Sequence, residues 1–332
     1  FAPSNVQSLV QEVNSYKPRV VGFSVIFQYT LKDFAELAQS LREAGIQAHF
    51  TAGGHFPTLR PIEVLELIPQ LDSVVMFEGE LTTAELLQNL DKPNIWPEIK
   101  GLAFQCNGKI VINPPRPLIP DLNTLPFPKR DRPRFLSRGV KTASVLGSRG
   151  CLYNCSYCSI RQFYGKAPGP LRRIRSPESV VAEMKVLYEK DGVRFFIFQD
   201  DDFAAKTTSQ RRWIESFLGE LNSSGLTGYI RWKISCRVDD IDPDLIACCH
   251  DQGLIAVFLG VESGNPVGLH TFNKLVTVAQ NVSAIESLKD IGITFNMGFM
   301  LFDPDSTFET IRQNLVFLRS VVGDGSCAVN FC

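Results

Sequence analysis

Nowhere in the 332 residues does an apolar run approach the about eighteen residues of a membrane-spanning helix, so no membrane span is expected. Charge of one sign is equally scarce: 34 Lys and Arg stand against 35 Asp and Glu, a formal net charge of −1. That balance leaves no electrostatic footprint for nucleic acid or an anionic membrane as a bulk partner. There is no internal repeat and no low-complexity tract. An initiating Met is missing too. The chain begins at Phe1 and stops at Cys332 inside an apolar stretch that starts at Cys327, which reads as a fragment. The lack of a signal peptide therefore says nothing.

What is present is ordinary in bulk and unusual in detail. Hydrophobic content of 44% and charge of 21% suit a globular protein, and the length suits two domains with a sizeable core. Nine cysteines, three clustered and six scattered, fit a reducing, cytoplasmic compartment better than a disulfide scaffold. The cluster is Cys151, Cys155 and Cys158, at C-x3-C-x2-C spacing, with Tyr157 just before the last thiol and Gly147–Gly150 leading in. Three soft ligands within eight residues can wrap one metal centre, and thiolates favour zinc or iron–sulfur. A structural zinc site wants a fourth protein ligand, and the next Cys or His is Cys236, far along the chain. The set is one ligand short. An iron–sulfur cluster on three cysteines would keep one iron open, while zinc and a disulfide knot stay as alternatives.

Residues 1–113 alternate strand and helix. The β-branched run 19–27 reads as a buried parallel strand, and Leu31, Phe34, Leu37, Ala38 and Leu41 recur at helical spacing. Strands follow at 47–51 and 73–77, with helices at 62–68 and 82–90, and a hairpin turns at Asn107-Gly108. This pattern predicts an open, doubly wound Rossmann-like α/β sheet, incomplete at its start, with ligands beyond the carboxyl ends of its strands. Ser24 and the Gly53-Gly54 pair fall at such ends, where glycine tolerates positive φ and close backbone approach. His55, next in line, reads as a turn residue that packs or faces solvent.

Residues 114–140 are punctuated by Pro114, Pro115, Pro117, Pro120, Pro126, Pro128 and Pro133, so they read as an extended, semi-rigid linker. Its basic cluster, Lys129, Arg130 and Arg132 around Asp131, reads as solvated charge. Residues 141–332 then give six strands, near 142–146, 194–199, 229–235, 255–261, 294–301 and 327–331, separated by helices. Crossovers of that length with right-handed connection curl into a partial (β/α)6 barrel, whose functional groups sit at the carboxyl ends of the strands. Those ends carry Asp200, Asp201 and Asp202, then Arg237, then Glu262, then the segment 302–307 with Pro304 and Thr307 as helix-start residues. Three adjacent carboxylates repel one another, which a plain turn rarely accepts, and such an end can receive an ammonium group. Cys248 and Cys249 read as core thiols on a helix, and Cys327 and Cys332 as residues near the barrel interior without a catalytic role.

The Cys trio with its aromatic resembles the radical S-adenosylmethionine (SAM) superfamily, in which the open iron of a 4Fe–4S cluster chelates the amino and carboxylate groups of SAM. Ser24-Val25-Ile26 followed by Gly53-Gly54 resembles the S-x-L…G-G half of the cobalamin (B12) binding fold, with Ile26 in place of Leu. That family's D-x-H-x-x-G segment lies about forty residues before the Ser, and only 23 residues precede Ser24, so it is absent from this chain. Phe198–Phe203 and Leu259–Gly264 resemble the F-x-D-D-x-F and G-V-E-S-G turns of the B12-associated radical SAM branch. The resemblance implies SAM contacts at Tyr157, Asp200, Asp201, Arg237 and Glu262, with one of the two matched acids on the SAM amino group and Arg237 on its carboxylate; an ion pair of Arg237 with Asp239 or Asp240 is the plain alternative. It implies cobalamin contacts at Ser24, Gly53 and Gly54, and cluster ligation by Cys151, Cys155 and Cys158. The implied activity is reductive cleavage of SAM to a 5′-deoxyadenosyl radical, fed by a flavodoxin- or ferredoxin-type donor. Radical methyl transfer to an unactivated carbon of a small-molecule or natural-product substrate would follow. Oxidative cyclisation or rearrangement is the alternative within the family. A non-catalytic zinc or electron-transfer module is the alternative outside it.

Overall fold

The computed structural model describes residues 6–130, 135–137, 139–204 and 206–331. Asp131, Arg132, Pro133 and Cys332, named above, lie outside the described residues. The chain divides into two compact units. One runs to Pro120 and takes in Gln162–Pro170; the other comprises Asp121–Arg161 and Leu171–Cys332.

The first unit runs α1 (Val6–Tyr16), β1 (Val20–Ser24), α2 (Leu31–Glu43), β2 (His49–Gly53), α3 (His55–Leu59), α4 (Pro61–Leu67), β3 (Ser73–Val75), α5 (Gly79–Gln88), β4 (Leu102–Cys106) and β5 (Lys109–Ile112). Its sheet has the order β1-β2-β3-β4-β5, with the first three strands parallel and the β4–β5 hairpin antiparallel. Asn107 (φ 50°) and Gly108 (φ 73°) both have positive φ, the geometry a two-residue hairpin turn demands. Phe50, Val64, Leu65, Leu41 and Val74 fill the core between sheet and helices. The strand order runs one way through the described strands, so the reversal of a doubly wound sheet is not among them. Part of the proline-rich stretch is pinned to this unit: Leu118 donates its amide to Pro168 (2.8 Å) and Ile119 to the buried Glu78 carboxylate (2.9 Å).

The second unit continues β6 (Phe135–Ser137), β7 (Val140–Val145), β8 (Ser148–Arg149), α6 (Ile160–Gly165, which crosses into the first unit), β9 (Arg173–Ile174), α7 (Pro177–Asp191), β10 (Phe195–Phe198) and α8 (Thr208–Ser223). It ends with β11 (Arg231–Arg237), α9 (Pro243–Asp251), β12 (Leu254–Glu262), α10 (Pro266–Thr271), α11 (Val278–Ile291), β13 (Thr294–Phe299), α12 (Phe308–Val322) and β14 (Cys327–Phe331). The sheet order is β14-β13-β12-β11-β10-β7-β6. Six successive parallel strands, each linked by a helical crossover, are the expected partial (β/α)6 barrel. Local signals set the helix starts: Ser176 and Asp242 cap helices whose first residue is proline, and Thr307 closes a capping box on α12.

Alternation along the strands sorts side chains between two faces. Phe196, Phe198, Trp232, Ile234, Val257 and Met297 bury against the helices, packing with Met184, Phe217 and Ile285. Lys233, Ser235, Phe258 and Asn296 take the opposite, concave face, where all four are half-buried. This register corrects the expectation for Cys327: it pairs with core-facing Phe295 and packs on the helix side, not in the barrel interior. Cys249 is a core thiol as expected, but Cys248, one position round α9, is exposed. Arg130 is not solvated linker charge either. Its guanidinium bonds the Ser144 carbonyl (2.6 Å) and the buried Glu183 carboxylate (2.7 Å).

Candidate functional site

The cysteine loop leaves β7 and is fixed at its start by the acids that follow β10. Asp200 accepts from the Gly147 amide (3.0 Å) and the Ser148 hydroxyl (2.6 Å), and Asp201 accepts from the Gly150 amide (2.7 Å). Gly150 has φ +88°, and a Cβ there would lie 1.7 Å from the Leu171 carbonyl oxygen, so only glycine fits. Farther on, the Ser156 amide and hydroxyl donate to the carbonyls of Phe272 and Thr271, and Asn273 donates to the Asn154 carbonyl (2.7 Å). The loop is thereby laced to the segment after α10.

Cys151, Cys155 and Cys158 are free, half-buried thiols. Burial pushes Cys151 up to about 11, with Asp202, Cys158 and Asp201 adding to the shift; burial also raises Cys158, while Lys274 lowers it. Thiols held up in this way become thiolates at neutral pH only against a metal cation. Among the described residues, no three His, Cys, Asp or Glu side chains converge as ligands of a single ion. Mononuclear zinc needs that convergence. A four-iron cluster does not, because each cysteine binds a different iron. Cys236, the one later thiol with a claim to be a fourth ligand, faces the helix-side core. The donor set therefore fits an iron–sulfur cluster with one iron left open and does not fit a closed zinc site.

Charge is polarised around the loop. Asp202 and Asp201 act on Cys151, and Asp201 reaches Cys158 as well. On the other side, the Arg237 Nη1 lies 3.3 Å from the Cys155 Sγ, and the Lys274 ammonium acts on Cys158. Arg237 is otherwise committed. Its Nε and Nη2 grip Asp239 (2.9 and 3.1 Å), Nη2 also bonds the Lys274 carbonyl, and its plane lies 3.7 Å over the Tyr153 ring. Of the two partners the sequence allows this guanidinium, a ligand carboxylate or a neighbouring Asp, Asp239 holds the Nε and Nη2 side of the fork.

Glu262, at φ +69°, turns its carboxylate back over Gly260 to Lys274 (3.2 Å), and Lys274 Nζ is 3.4 Å from the Tyr157 hydroxyl. Lys274 is only 2% exposed, so this ion pair is a buried one. Burial and the Glu262 charge push the Tyr157 phenol upward, while its ring, edge-on to Phe272, stays 44% exposed. Lys274 escaped the sequence reading because nothing in its local pattern ties it to Glu262 twelve residues earlier. Asp202 was also undervalued. It is 1% exposed, and both its carboxyl oxygens, with Oδ2 of Asp240, meet no N–H or O–H donor among the described residues. Burial and the Asp240 charge push Asp202 up, and burial raises Asp240 against the pull of the Tyr153 hydroxyl (2.7 Å). A single proton held between the two carboxyls relieves both. The triple acid does not cap α8, whose N-cap is Thr207.

In the first unit, Ser24 and Gly53 are register partners at the carboxyl ends of β1 and β2. Gly54 has φ +109°, and a Cβ on it would lie 2.5 Å from the Val25 carbonyl oxygen. Beyond Ser24 the side chains of Ile26, Phe27 and Tyr29 are exposed, the last two stacked at 5.4 Å. His55 opens α3 rather than sitting in a turn, and its ring stacks on Phe163 at 4.4 Å.

Residues 145–318 match the family model of the radical SAM superfamily, and residues 1–87 match that of the B12 binding domain. The chain is 30% identical over 314 residues to an uncharacterised methyltransferase of Pyrococcus horikoshii, covering 93% of this chain and 66% of that protein. It is 28% identical to the anaerobic magnesium-protoporphyrin IX monomethyl ester cyclase of Cereibacter sphaeroides, covering 92% of this chain and 50% of that one. The chain thus spans between half and two-thirds of these relatives' lengths. Among solved structures it superposes on TsrM from Kitasatospora setae, a radical SAM methyltransferase, with a TM-score of 0.78 at 19% identity, covering 97% of this chain and 64% of that one. It superposes on the cobalamin-dependent SAM radical enzyme OxsB with a TM-score of 0.77 at 22% identity, covering 96% and 46%. The chain belongs to the radical SAM superfamily and carries a B12-binding domain, the two domains that take a 4Fe–4S cluster with SAM and cobalamin.

Proposed function

We propose that this chain is the cofactor-bearing part of a cobalamin-dependent radical SAM methyltransferase acting on an unactivated carbon of a small molecule. The observation that carries the reading is a loop of three half-buried thiols with no fourth protein ligand among the described residues, with Asp202 and Asp201 acting on Cys151 and the Arg237 guanidinium 3.3 Å from the Cys155 sulfur. Cys151, Cys155 and Cys158 hold the cluster, and when bound, cluster, SAM and cobalamin supply the one-electron and methyl-transfer chemistry. Asp201, on the Cys151 side, accepts the SAM ammonium; Asp200, saturated by Gly147 and Ser148, holds the loop in place for it. Lys274 and Arg237, on the Cys155–Cys158 side, favour the SAM carboxylate, with Arg237 acting mainly as donor to the Cys155 sulfur. Glu262 sets the Lys274 ammonium, and the exposed Tyr157 ring offers a face to the adenosyl group. Ser24, Gly53 and Gly54 receive cobalamin where backbone lies open at two strand ends. The family's chemistry requires an external one-electron donor, which we assign to a cytoplasmic flavodoxin- or ferredoxin-type protein. Among the described residues no helix is long and apolar enough to cross a membrane.

Anaerobic reconstitution tests the reading. Iron and sulfide in the stoichiometry of one 4Fe–4S cluster, with reductive cleavage of SAM lost in Cys155→Ala, are expected. Stoichiometric zinc without cleavage would refute it. Turnover with methyl-labelled SAM should place label in product, whereas unlabelled product would point to cyclisation or rearrangement.

A further inference from the structure

The concave face of the barrel sheet holds a cation that has no counterion among the described residues. Lys233 lies on β11, the central strand of seven, at a position whose neighbours Trp232 and Ile234 both turn into the helix-side core. Alternation sends its side chain the other way, between Ile197 of β10 and Ala256 of β12. There it is half-buried, and among the described residues it makes no hydrogen bond and no ion pair. Its nearest aromatic is Phe258, whose ring centroid is 6.0 Å from the ammonium, at the outer limit of a cation–π contact.

The other charges of this face are already matched. Arg231 bonds the carbonyls of Gly228 and Ile230, Arg237 grips Asp239, and Glu262 pairs with Lys274. The polar groups that follow Lys233 are neutral and likewise make no internal bond among the described residues: the Ser235 hydroxyl, next on its own strand, and the Asn296 amide, in register with Phe258. Phe258 spreads over Gly298, where a Cβ would meet its ring at 2.9 Å, and Gly298 in turn borders the Glu262 carboxylate. A flat platform therefore runs from Lys233 at one end to the Glu262–Lys274 pair beside the cysteine loop at the other. A sheet face that merely faced solvent would not need this arrangement. A half-buried ammonium without a counterion loses solvation and gains no partner.

We propose that Lys233 is the anchor for an anionic group, a carboxylate or phosphate, on the substrate. The substrate body lies on Phe258, within hydrogen-bonding reach of Ser235 and Asn296, and its reacting carbon is directed toward the cysteine-loop end. The proposal rests on the reading of this barrel interior as the substrate chamber, and it names the substrate class that reading leaves open.

The test uses aromatic fragments of one shape and different charge, benzoate, phenyl phosphate and benzamide. They are titrated by ligand-observed NMR against the reconstituted holoenzyme carrying cluster, SAM and cobalamin. At least one anion should bind about fivefold or more tighter than benzamide, the scale of one partly solvated charge pair. Which anion wins distinguishes carboxylate from phosphate. Lys233→Gln should reduce that preference to the benzamide level and Lys233→Arg should keep it, each in a protein whose melting temperature matches the parent. Equal binding of all three fragments, or an anion preference that survives in Lys233→Gln, overturns the proposal. Reductive cleavage of SAM by the unsubstituted holoenzyme is measured in the same preparations. If cleavage is absent, the enzymatic reading fails; if it is present with no anion preference, only the Lys233 assignment fails.

Discussion

Replacing Gly150 by alanine should damage the cysteine loop through backbone geometry alone. The residue sits at φ +88°, which costs an L-residue about 1–2 kcal/mol. The added Cβ would stand 1.7 Å from the Leu171 carbonyl oxygen, so that oxygen must retreat by well over an ångström. Leu171 lies just before β9, whose pairing with β8 (Ser148↔Ile174, Arg149↔Arg173) frames the loop. Moving it strains that ribbon and draws the Gly150 amide off Asp201, a bond to a charged acceptor worth about 1.5–3 kcal/mol. The sum is about 3–5 kcal/mol, accompanied by poor cluster incorporation. Gly292 supplies the control. Its φ of +84° is nearly the same, yet a Cβ there has nothing within 4 Å, so Gly292→Ala should cost only about 1–2 kcal/mol and leave iron content intact. Urea unfolding of both variants, with iron and sulfide analysis after reconstitution, separates the two contributions. If Gly150→Ala comes within about 1 kcal/mol of Gly292→Ala and binds iron normally, the close approach to Leu171 does not govern the loop.

Two further outcomes follow from the same neighbourhood. Burial raises Asp200 to about 6, above the ordinary aspartate value of about 3.9, so its contribution to stability is present below the ordinary value and is lost as pH rises through about 6. That amounts to about 3 kcal/mol at about 1.36 kcal/mol per unit, and Asp200→Asn should flatten the stability profile between about pH 4 and 7; an unchanged slope in urea melts across that range contradicts the assignment. Arg237→Gln removes a cationic donor from the Cys155 sulfur and should shift the cluster to a more negative reduction potential; EPR-monitored redox titration giving the parent's potential would show that the bond at 3.3 Å does not tune it.

Local signals in the sequence carried far. Ser176-Pro177 and Asp242-Pro243 announced their helices through caps that act within one turn, and the C-x3-C-x2-C spacing announced the loop because its ligands are neighbours in the chain. What failed to show was whatever depends on long-range register. Cys327 was placed on the wrong face because a strand's parity is settled only by its partner, here Phe295. For Arg237 the sequence leaves two partners open, a ligand carboxylate or a nearby Asp, because side-chain direction at a strand end is not encoded locally; the structure puts Asp239 on the fork. Lys274 and the Asp202–Asp240 pair come together only once α10 and β11 are in place, and no local pattern encodes that meeting. Lys233 is silent for the opposite reason: a lysine in a strand is unremarkable until register shows Ile197 and Ala256 beside it and no carboxylate in reach among the described residues.

The segment Gln162–Pro170 belongs with the first unit, although the chain on both sides of it belongs with the second. It carries Phe163 and Tyr164, both buried, with Phe163 against His55 and Phe77. The two halves therefore cannot be separated by a single cut. Shuffling the barrel onto another partner, in the laboratory or by recombination, would strand two large aromatic rings in water directly behind the last cluster cysteine. His55 and Phe77 thus pack on a ring that follows Ser159 by four residues and Cys158 by five, so this short stretch of chain is where the two units are covalently interleaved.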